Sequence, residues 1–372
     1  MKVFHCDSCE QLVFFENVSC VRCGHVLAFL PDSLEVAALE RIDDELWQSL
    51  KPVASDLWKS PKPGSEGSEY RLCTNYRNAG ICNWAVPAGD PDSLCLSCRL
   101  TRVIPDMSLP DNQNAWRKLE GAKRRLLYSL LRLGLPVNNR SEDPNLGLAF
   151  EFLSPTATPE TEPVLTGHDS GVITVNIAEA DDAEREKRRL QLHEPYRTLL
   201  GHLRHEVGHY FWDVLLQTSS RLDAFRLLFG DEREDYAAAL TRHYDQGPRP
   251  DWPEHYISAY ASTHPWEDWA ETWAHYLHMT DALETAAASG LTIVSPANAK
   301  SFSAADVVTN DIRMVPFDTL IEHWLQLTYV LNNLNRSLGL QDGYPFVLSR
   351  SAMEKLRFVH RTVRSLHQVG SS

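Results

Sequence analysis

The segment His205-Glu206-Val207-Gly208-His209 sets two imidazoles one helical turn apart, with a carboxylate beside the first. Residues i and i+4 share a helix face, so both rings can reach a single metal ion. Glu206 then lies next to that ion, placed to take a proton from a metal-bound water. This is the minimum equipment for zinc-assisted hydrolysis. A catalytic zinc takes three protein ligands and leaves a fourth position for water. The pattern that places a third histidine six residues after the second is excluded, because Leu215 stands there. A carboxylate from a later helix is the other common choice, and the stretch Tyr260 to Ala274 offers one. Pro265 suits a first helical position, and Glu267 and Glu271 then fall one turn apart on one face. Such a pair ordinarily marks a solvated face, but Trp266, Trp269 and Trp273 make this segment too apolar for one, and Ala270 would let another helix approach closely. We expect Glu267 to be the third ligand and Glu271 to hydrogen-bond a histidine ring N–H, fixing its tautomer. His264, then Glu271 itself, stand next as third ligands. His202, one turn before His205, reads as a partly buried helix histidine.

All eight cysteines lie within the first 98 residues. Cys6 and Cys9 form one C-x-x-C pair, Cys20 and Cys23 another. Two such knuckles so close together point to a four-thiolate zinc site, with Gly24 suited to the tight turn after the second. Cys73, Cys82, Cys95 and Cys98 form a second set with only one true knuckle. The reading as a second structural zinc rests on the even division of eight cysteines into two fours. Disulfides are disfavoured in a chain with no apolar leader at Met1 to Cys6, and redox use of C-x-x-C normally accompanies a βαβ pattern that is absent here. Each cysteine unit is too short to bury a sufficient core, and a metal would substitute for one. Three Zn²⁺ ions are therefore expected, one catalytic and two structural.

The chain has 372 residues, 43% apolar and 23% charged, with a net charge of −14. The length allows one large domain and one or two small ones. The acidic balance argues against nucleic acid as a general partner. The basic stretch Arg117-Lys118 to Lys123-Arg124-Arg125 reads as a solvated helix face. No apolar run is long enough to span a bilayer, so a cytoplasmic location without a membrane partner is expected.

These residues need elements to position them. Residues 1–30 read as short β-hairpins, with Leu12 to Phe15 and Val26 to Leu30 as apolar strands. Lys59 to Ser68 has the composition of a linker, and residues 70–100 form the second cysteine unit. A helix is expected from about Asn112 to Leu133, ended by Gly134 and Pro136. Leu146 to Leu153 reads as a strand, Ser154 to Pro163 as a loop, and the β-branched Gly171 to Ile177 as a strand. A charged run, Asp181 to Arg189, precedes the helix carrying His205, whose first turn Pro195 would suit. A strand followed by the active helix is the order used by zincin peptidases, where a strand edge pairs with an extended substrate, and strand 171–177 is expected to align it. From Arg221 the chain reads as mostly helical, with breaks at Gly247 to Pro250 and at Ser295-Pro296. The expected fold class is α+β: a zinc ribbon and connector (1–58), a second four-cysteine zinc module (59–103), and a mainly helical zincin-like domain with a short sheet (104–372).

With these features in place, the sequence resembles the bacterial zinc-binding metallopeptidase family that carries an N-terminal zinc ribbon. The likeness runs nearly end to end. It takes in both cysteine clusters, Cys98 to Arg102, Gly171 to Ala180, Arg204 to Trp212, Phe229 to Arg233, His264 to Leu277 and Tyr344 to Leu348. It implies a catalytic class and no particular substrate. The spacing Tyr260-x6-Glu267-x3-Glu271 is also similar to that of gluzincins of the lethal-factor type. That likeness implies Glu267 as zinc ligand and Tyr260 as a residue over the metal that stabilises the oxyanion.

The expected activity is peptide hydrolysis through a zinc-activated water, with Glu206 as general base and a peptide or protein as substrate. The alternative is a non-enzymatic interaction protein, in which the ribbons dock a partner and the zincin fold is a latent scaffold. Trp84 and the linker leave room for the ribbons to recruit a substrate protein.

Overall fold

The computed structural model describes residues 1–43, 45–49, 69–154, 164, 166–191, 198–294, 301–303 and 311–366. The expected linker at 59–68, most of the loop at 154–163, Pro195 and the break at Ser295-Pro296 lie outside these residues.

Strands β1 (Phe4–His5) and β2 (Leu12–Val13) pair antiparallel and carry the first cysteine knuckle between them. A five-stranded antiparallel sheet follows: β3 (Val26–Leu30), β4 (Glu35–Arg41), β5 (Leu46–Ser49), β6 (Glu69–Leu72) and β7 (Ala85–Pro87), in that spatial order. Its side chains alternate between two faces, as the period of a strand demands. Leu27, Phe29, Val36, Ala38, Trp84 and Val86 pack into the main core, while Ala28, Leu30, Ala37, Leu39, Tyr70 and Ala85 form a smaller one. Phe29 bridges to Trp84 just ahead of β7, and its amide donates to Asn83 O at 2.8 Å, so the sheet curls on itself. Three strands come from before residues 51–68 and two from after, so one sheet joins the two cysteine clusters. Trp84 is fully buried, its ring 4.6 Å from that of Phe29. It is a core residue and no docking surface, which corrects the sequence expectation.

Short helices α1 (Thr74–Arg77) and α2 (Leu96–Arg99) begin at Cys73 and Cys95. Strand β8 (Thr101–Val103) leads from the second cysteine unit into a second sheet, past α3 (Pro110–Arg132) to β9 (Ala149–Leu153), β10 (Gly167–Asp169) and β11 (Val172–Asn176). The order is β10-β11-β9-β8, with β9 parallel to both β8 and β11. Ser170 (φ 48°) and Gly171 (φ 86°) make the two-residue turn between β10 and β11, the left-handed geometry that such a hairpin requires. A Cβ on Gly171 would also meet Leu146 O at 2.6 Å. Strand 172–176 is therefore hydrogen-bonded on both sides and has no free edge. The edge that packs against the helix of His205 is β10, so the expectation that strand 171–177 aligns a substrate is corrected.

Helix α3 also departs from its reading as a solvated basic face. Arg117, Lys118 and Arg125 are exposed, but Lys123 and Arg124 are buried. The Lys123 ammonium donates to Glu120 at 2.9 Å and to the Thr101 hydroxyl, and lies over the rings of Phe150 and Phe152. A buried cation needs such a partner, and Glu120 sits one turn away on the same face.

The rest is helical: α4 (Asp182–Gln191), α5 (Leu199–Leu215), α6 (Leu222–Phe229), α7 (Tyr236–Gln246), α8 (Trp252–His255), α9 (Pro265–Ala288), α10 (Phe317–Ser337) and α11 (Arg350–Ser365), with a hairpin β12 (Thr292–Val294) and β13 (Ser301–Ser303) between α9 and α10. The expected break at Gly247 to Pro250 falls between α7 and α8. Helices α5 and α9 pack lengthwise against each other, with α3, α6, α10 and α11 around them. A strand-rich cysteine region followed by a mostly helical domain is the α+β architecture read from the sequence. No helix among the described residues is long and apolar enough to cross a membrane.

Candidate metal centre

Helix α5 starts where the Thr198 hydroxyl accepts from the Gly201 amide at 2.9 Å, a side-chain N-cap. Helix α9 starts at Pro265, the position where a missing N–H is harmless. The Trp269 indole donates to Gly208 O at 2.8 Å and pins the two helices at the level of the histidines. This contact turns His205 and His209 of α5 toward Glu267 of α9. One ligand atom from each of the three lies within 4.8 Å of the other two. Glu267 Oε2 is 3.0 Å from His205 Nε2 and 3.5 Å from His209 Nε2. That oxygen is buried and receives no hydrogen bond, as is His209 Nδ1. An undonated carboxylate oxygen facing two ring nitrogens in a dry pocket is costly unless a cation fills the gap. The donor set of two imidazoles and one carboxylate fits zinc with a position left open.

A further ring of contacts holds these groups. Glu271 Oε1 lies 2.7 Å from His205 Nδ1, and its Oε2 accepts from the Ser258 hydroxyl at 2.6 Å. The Tyr236 hydroxyl donates to Glu267 Oε1 at 2.6 Å, leaving Oε2 for the histidines. Burial opposes ionisation of both carboxylates, but the imidazoles more than offset it. Glu267 is held well below the usual range and Glu271 at about 2. His205, though buried, is lifted well above an ordinary histidine by the two carboxylates that flank it. A cation between Nε2 and Glu267 would supply the positive charge that this carboxylate faces.

Glu206 is buried beside these groups, its Oε1 3.0 Å from His202 Nε2. Tyr260 stands on a one-turn 3₁₀ segment just before α9, its ring centroid 5.9 Å from that of His205. Trp266 covers His209 at 4.0 Å between ring centroids, and His168 from β10 lies 6.2 Å from His209 and 6.1 Å from Trp266. Burial holds His168 down to about 4, so it faces the site as a neutral ring. His264 is engaged elsewhere. It caps α9 by accepting from the Trp266 amide at Nδ1 (3.1 Å), and its Nε2 lies 3.1 Å from Glu234 O. Both ring nitrogens are taken, which leaves Glu267 ahead of it as the third donor.

The cysteines form two further groups, Cys6, Cys9, Cys20 and Cys23, and Cys73, Cys82, Cys95 and Cys98, with no disulfide in either. Sulfur separations of 3.5 Å (Cys6 to Cys23), 3.6 Å (Cys9 to Cys20) and 3.7 Å (Cys82 to Cys95) match the edge of a tetrahedron of zinc–thiolate bonds, about 3.8 Å for bonds of ~2.3 Å. The amides of Trp84 and Cys95 point at Cys82 and Cys73 Sγ at 3.4 Å, as they would toward thiolates. His25, which the spacing did not single out, brings Nδ1 within 3.2 Å of Cys23 Sγ.

With this geometry in view, comparison with known proteins is decisive. Residues 112–362 match the family described as "Putative zinc-binding metallo-peptidase", and residues 3–109 match a zinc-ribbon domain. The chain belongs to this metallopeptidase family. It is 43% identical over 364 residues to uncharacterized proteins of Mycobacterium bovis and Mycobacterium tuberculosis, spanning 98% of this chain and 95% of each relative. No solved structure matches it.

Within this family member, the groups that sequence reasoning missed are the ones that arrive from distant elements. Tyr236 comes from α7, Ser258 from the segment before Tyr260, Glu179 from the 3₁₀ turn after β11, and His168 from β10. None stands at a helical spacing from the central motif. His168 was hidden because Gly167-His168-Asp169 carries no β-branched or apolar strand signal.

Proposed function

We propose that this chain is a zinc-dependent peptidase with Glu206 as its general base. The observation that carries the reading is the buried, undonated Glu267 Oε2 aimed at His205 and His209 Nε2. His205, His209 and Glu267 would hold the catalytic zinc, and the two four-cysteine clusters would hold one structural zinc each. A zinc held there would supply Lewis acidity, lowering the pKa of a water and polarising the scissile carbonyl. Glu206 takes one proton from that water as its oxygen attacks the carbonyl carbon, and delivers the proton to the nitrogen as the C–N bond breaks. Glu271 keeps the Nδ1 proton on His205, so that Nε2 presents its lone pair. Tyr260 supports the developing oxyanion from the His205 side. Strand β10, the outermost strand of its sheet among the described residues, is where an extended peptide would lie.

The test is hydrolysis of dye-quenched casein by the purified full chain, alongside zinc counts. Wild type should carry about three zincs and Glu267→Ala about two. Glu206→Gln should keep all three and lose turnover. Turnover retained in Glu206→Gln refutes the base assignment. Two zincs in the wild type, with no hydrolysis, would leave the interaction-protein reading in the lead. That second reading draws support from the first ribbon, where Phe14 and Val21 are 78% and 87% exposed and offer a partner apolar contacts.

A further inference from the structure

Both ring nitrogens of His202 face a carboxylate. Nε2 lies 3.0 Å from Glu206 Oε1, and Nδ1 lies 2.7 Å from Glu179 Oε2. Ionised carboxylates only accept, so Nδ1 donates to Glu179, and Nε2 stands within ion-pair distance of Glu206. Glu179 is itself held. Its Oε1 accepts from the Thr166 hydroxyl at 2.7 Å, and its backbone carbonyl accepts from Arg185 at 2.7 Å. Glu179 stands on the 3₁₀ turn Ile177–Ala180 that follows β11, and Thr166 immediately precedes β10. The Glu179 and Glu206 side chains are almost wholly buried, and that of His202 is 15% exposed. Burial works against a charge on His202, yet the Glu179 carboxylate and the hydrogen bonds at both nitrogens raise it to about 9.

A buried acid–base–acid row is expensive to desolvate and is not explained by packing, since apolar side chains of similar volume would fill the space at lower cost. What it achieves is direction. A glutamate has three rotatable bonds, and a general base must sit within a few tenths of an ångström of the proton it takes. We propose that His202 and Glu179 are positioning residues for Glu206, with His202 holding Oε1 so that Oε2 meets the water, and Glu179 fixing His202 to the turn beside the β10 edge. The row thereby ties the base to the strand that would carry the substrate. Neither residue exchanges a proton with the reactants. The proton from water rests on Glu206 Oε2 until it passes to the leaving nitrogen, and both protons of the His202 ring stay in place. The proposal rests on the reading of Glu206 as the base, and its test separates the two.

The test compares the zinc-loaded full-length wild type with His202→Phe, His202→Gln and Glu179→Gln on dye-quenched casein, with zinc counts and thermal melts for each. Expected for His202→Phe is a full zinc complement and a kcat about 10–100-fold lower at near-constant KM. His202→Gln, whose amide still donates to Glu206, should recover part of the loss, and Glu179→Gln, which still accepts from Nδ1, should lose less. Unchanged kcat in His202→Phe overturns the proposal, as does a zinc loss that accounts for the lost turnover. A failure to fold in His202→Phe leaves the decision to the two amide variants. If the wild type carries its zinc and cleaves nothing, the peptidase reading fails on its own. The clamp is then decided by the ring ¹⁵N–¹H correlations of His202 at about pH 7.5, where an ordinary histidine is mostly neutral. Both nitrogens protonated in the wild type, and one in Glu179→Ala, support it. A neutral single tautomer in the wild type overturns it.

Discussion

Gly208 of α5 lies so close to Ala270 of α9 that a Cβ added to it would stand 2.9 Å from Ala270 Cα and 3.2 Å from Ala270 O. The neighbour is backbone and cannot rotate aside. This close contact stands one residue before His209 on α5 and three after Glu267 on α9, so the spacing of the three donors depends on it. Gly208→Ala should push the helices apart, destabilising the domain by about 1–3 kcal/mol as overpacked cores do. It should also lower zinc from about three to about two per chain. Thermal melts and metal analysis on the same preparation check both. A variant that keeps three zincs and the wild-type melting temperature would show that the contact relaxes cheaply.

Glu271 Oε1 lies 2.7 Å from His205 Nδ1, and the Ser258 hydroxyl donates to Glu271 Oε2 at 2.6 Å. Glu271→Gln keeps the shape but presents an amide that can turn its NH₂ toward Nδ1 and invert the tautomer. Zinc affinity at the central site should fall about 10–100-fold, measured by competition with a chromogenic chelator. Ser258→Ala removes one support of that carboxylate and should cost less than Glu271→Gln. The four-cysteine sites should be unaffected in both.

How far the centre was legible in the sequence follows from where its parts come from. His205, Glu206 and His209 lie within five residues, and Glu267 and Glu271 within another five, so helical spacing alone predicts which face each shares. The tryptophans around Glu267 marked its helix as buried, as Trp269 and Trp273 are. Tyr236, Ser258 and Glu179 join through tertiary folding, and no period in the chain announces them. Two misreadings have the same origin. Strand 172–176 alternates and is β-branched, a pattern that looks alike in an edge and an interior strand, and only the pairing of β10 decides which it is. Glu120, Lys123 and Arg124 have the spacing of a solvated helix face. Lys123 is buried where its ammonium lies over the rings of Phe150 and Phe152 of β9, a fact of layer packing.

Tyr236 donates to the oxygen of Glu267 that faces away from the histidines, and it reaches there from α7, a helix whose only buried residue is Ala239. Tyr236→Phe keeps the ring contacts with His264 and Trp266 and removes one hydrogen bond to a charged group, worth about 1.5–3 kcal/mol. Zinc affinity at the central site should drop by about 10–150-fold, with zinc at the two cysteine clusters unchanged. Calorimetric zinc titration of the central site in the two proteins checks this. Equal affinities would mean that Glu267 is oriented by its own helix alone.

His360 of α11 supplies a prediction away from the metal. It is buried, with Nδ1 3.1 Å from the Tyr276 hydroxyl, and burial holds it down to about 4 from its ordinary 6.5. The unfolded chain therefore binds a proton there that the folded chain refuses. Above about pH 6.5 both states are neutral at this residue and it adds no pH dependence. As pH falls from 6.5 toward 4 the unfolded state is favoured by ~1.4 kcal/mol per unit, on the order of 3 kcal/mol over the window. His360→Gln keeps a polar group for Tyr276 and removes the titration. Its stability relative to wild type should rise steadily between pH 6.5 and 4 and stay level between pH 6.5 and 8. Urea unfolding at a series of pH values measures the difference, and a difference that does not change below pH 6.5 would mean that His360 is protonated in the folded protein.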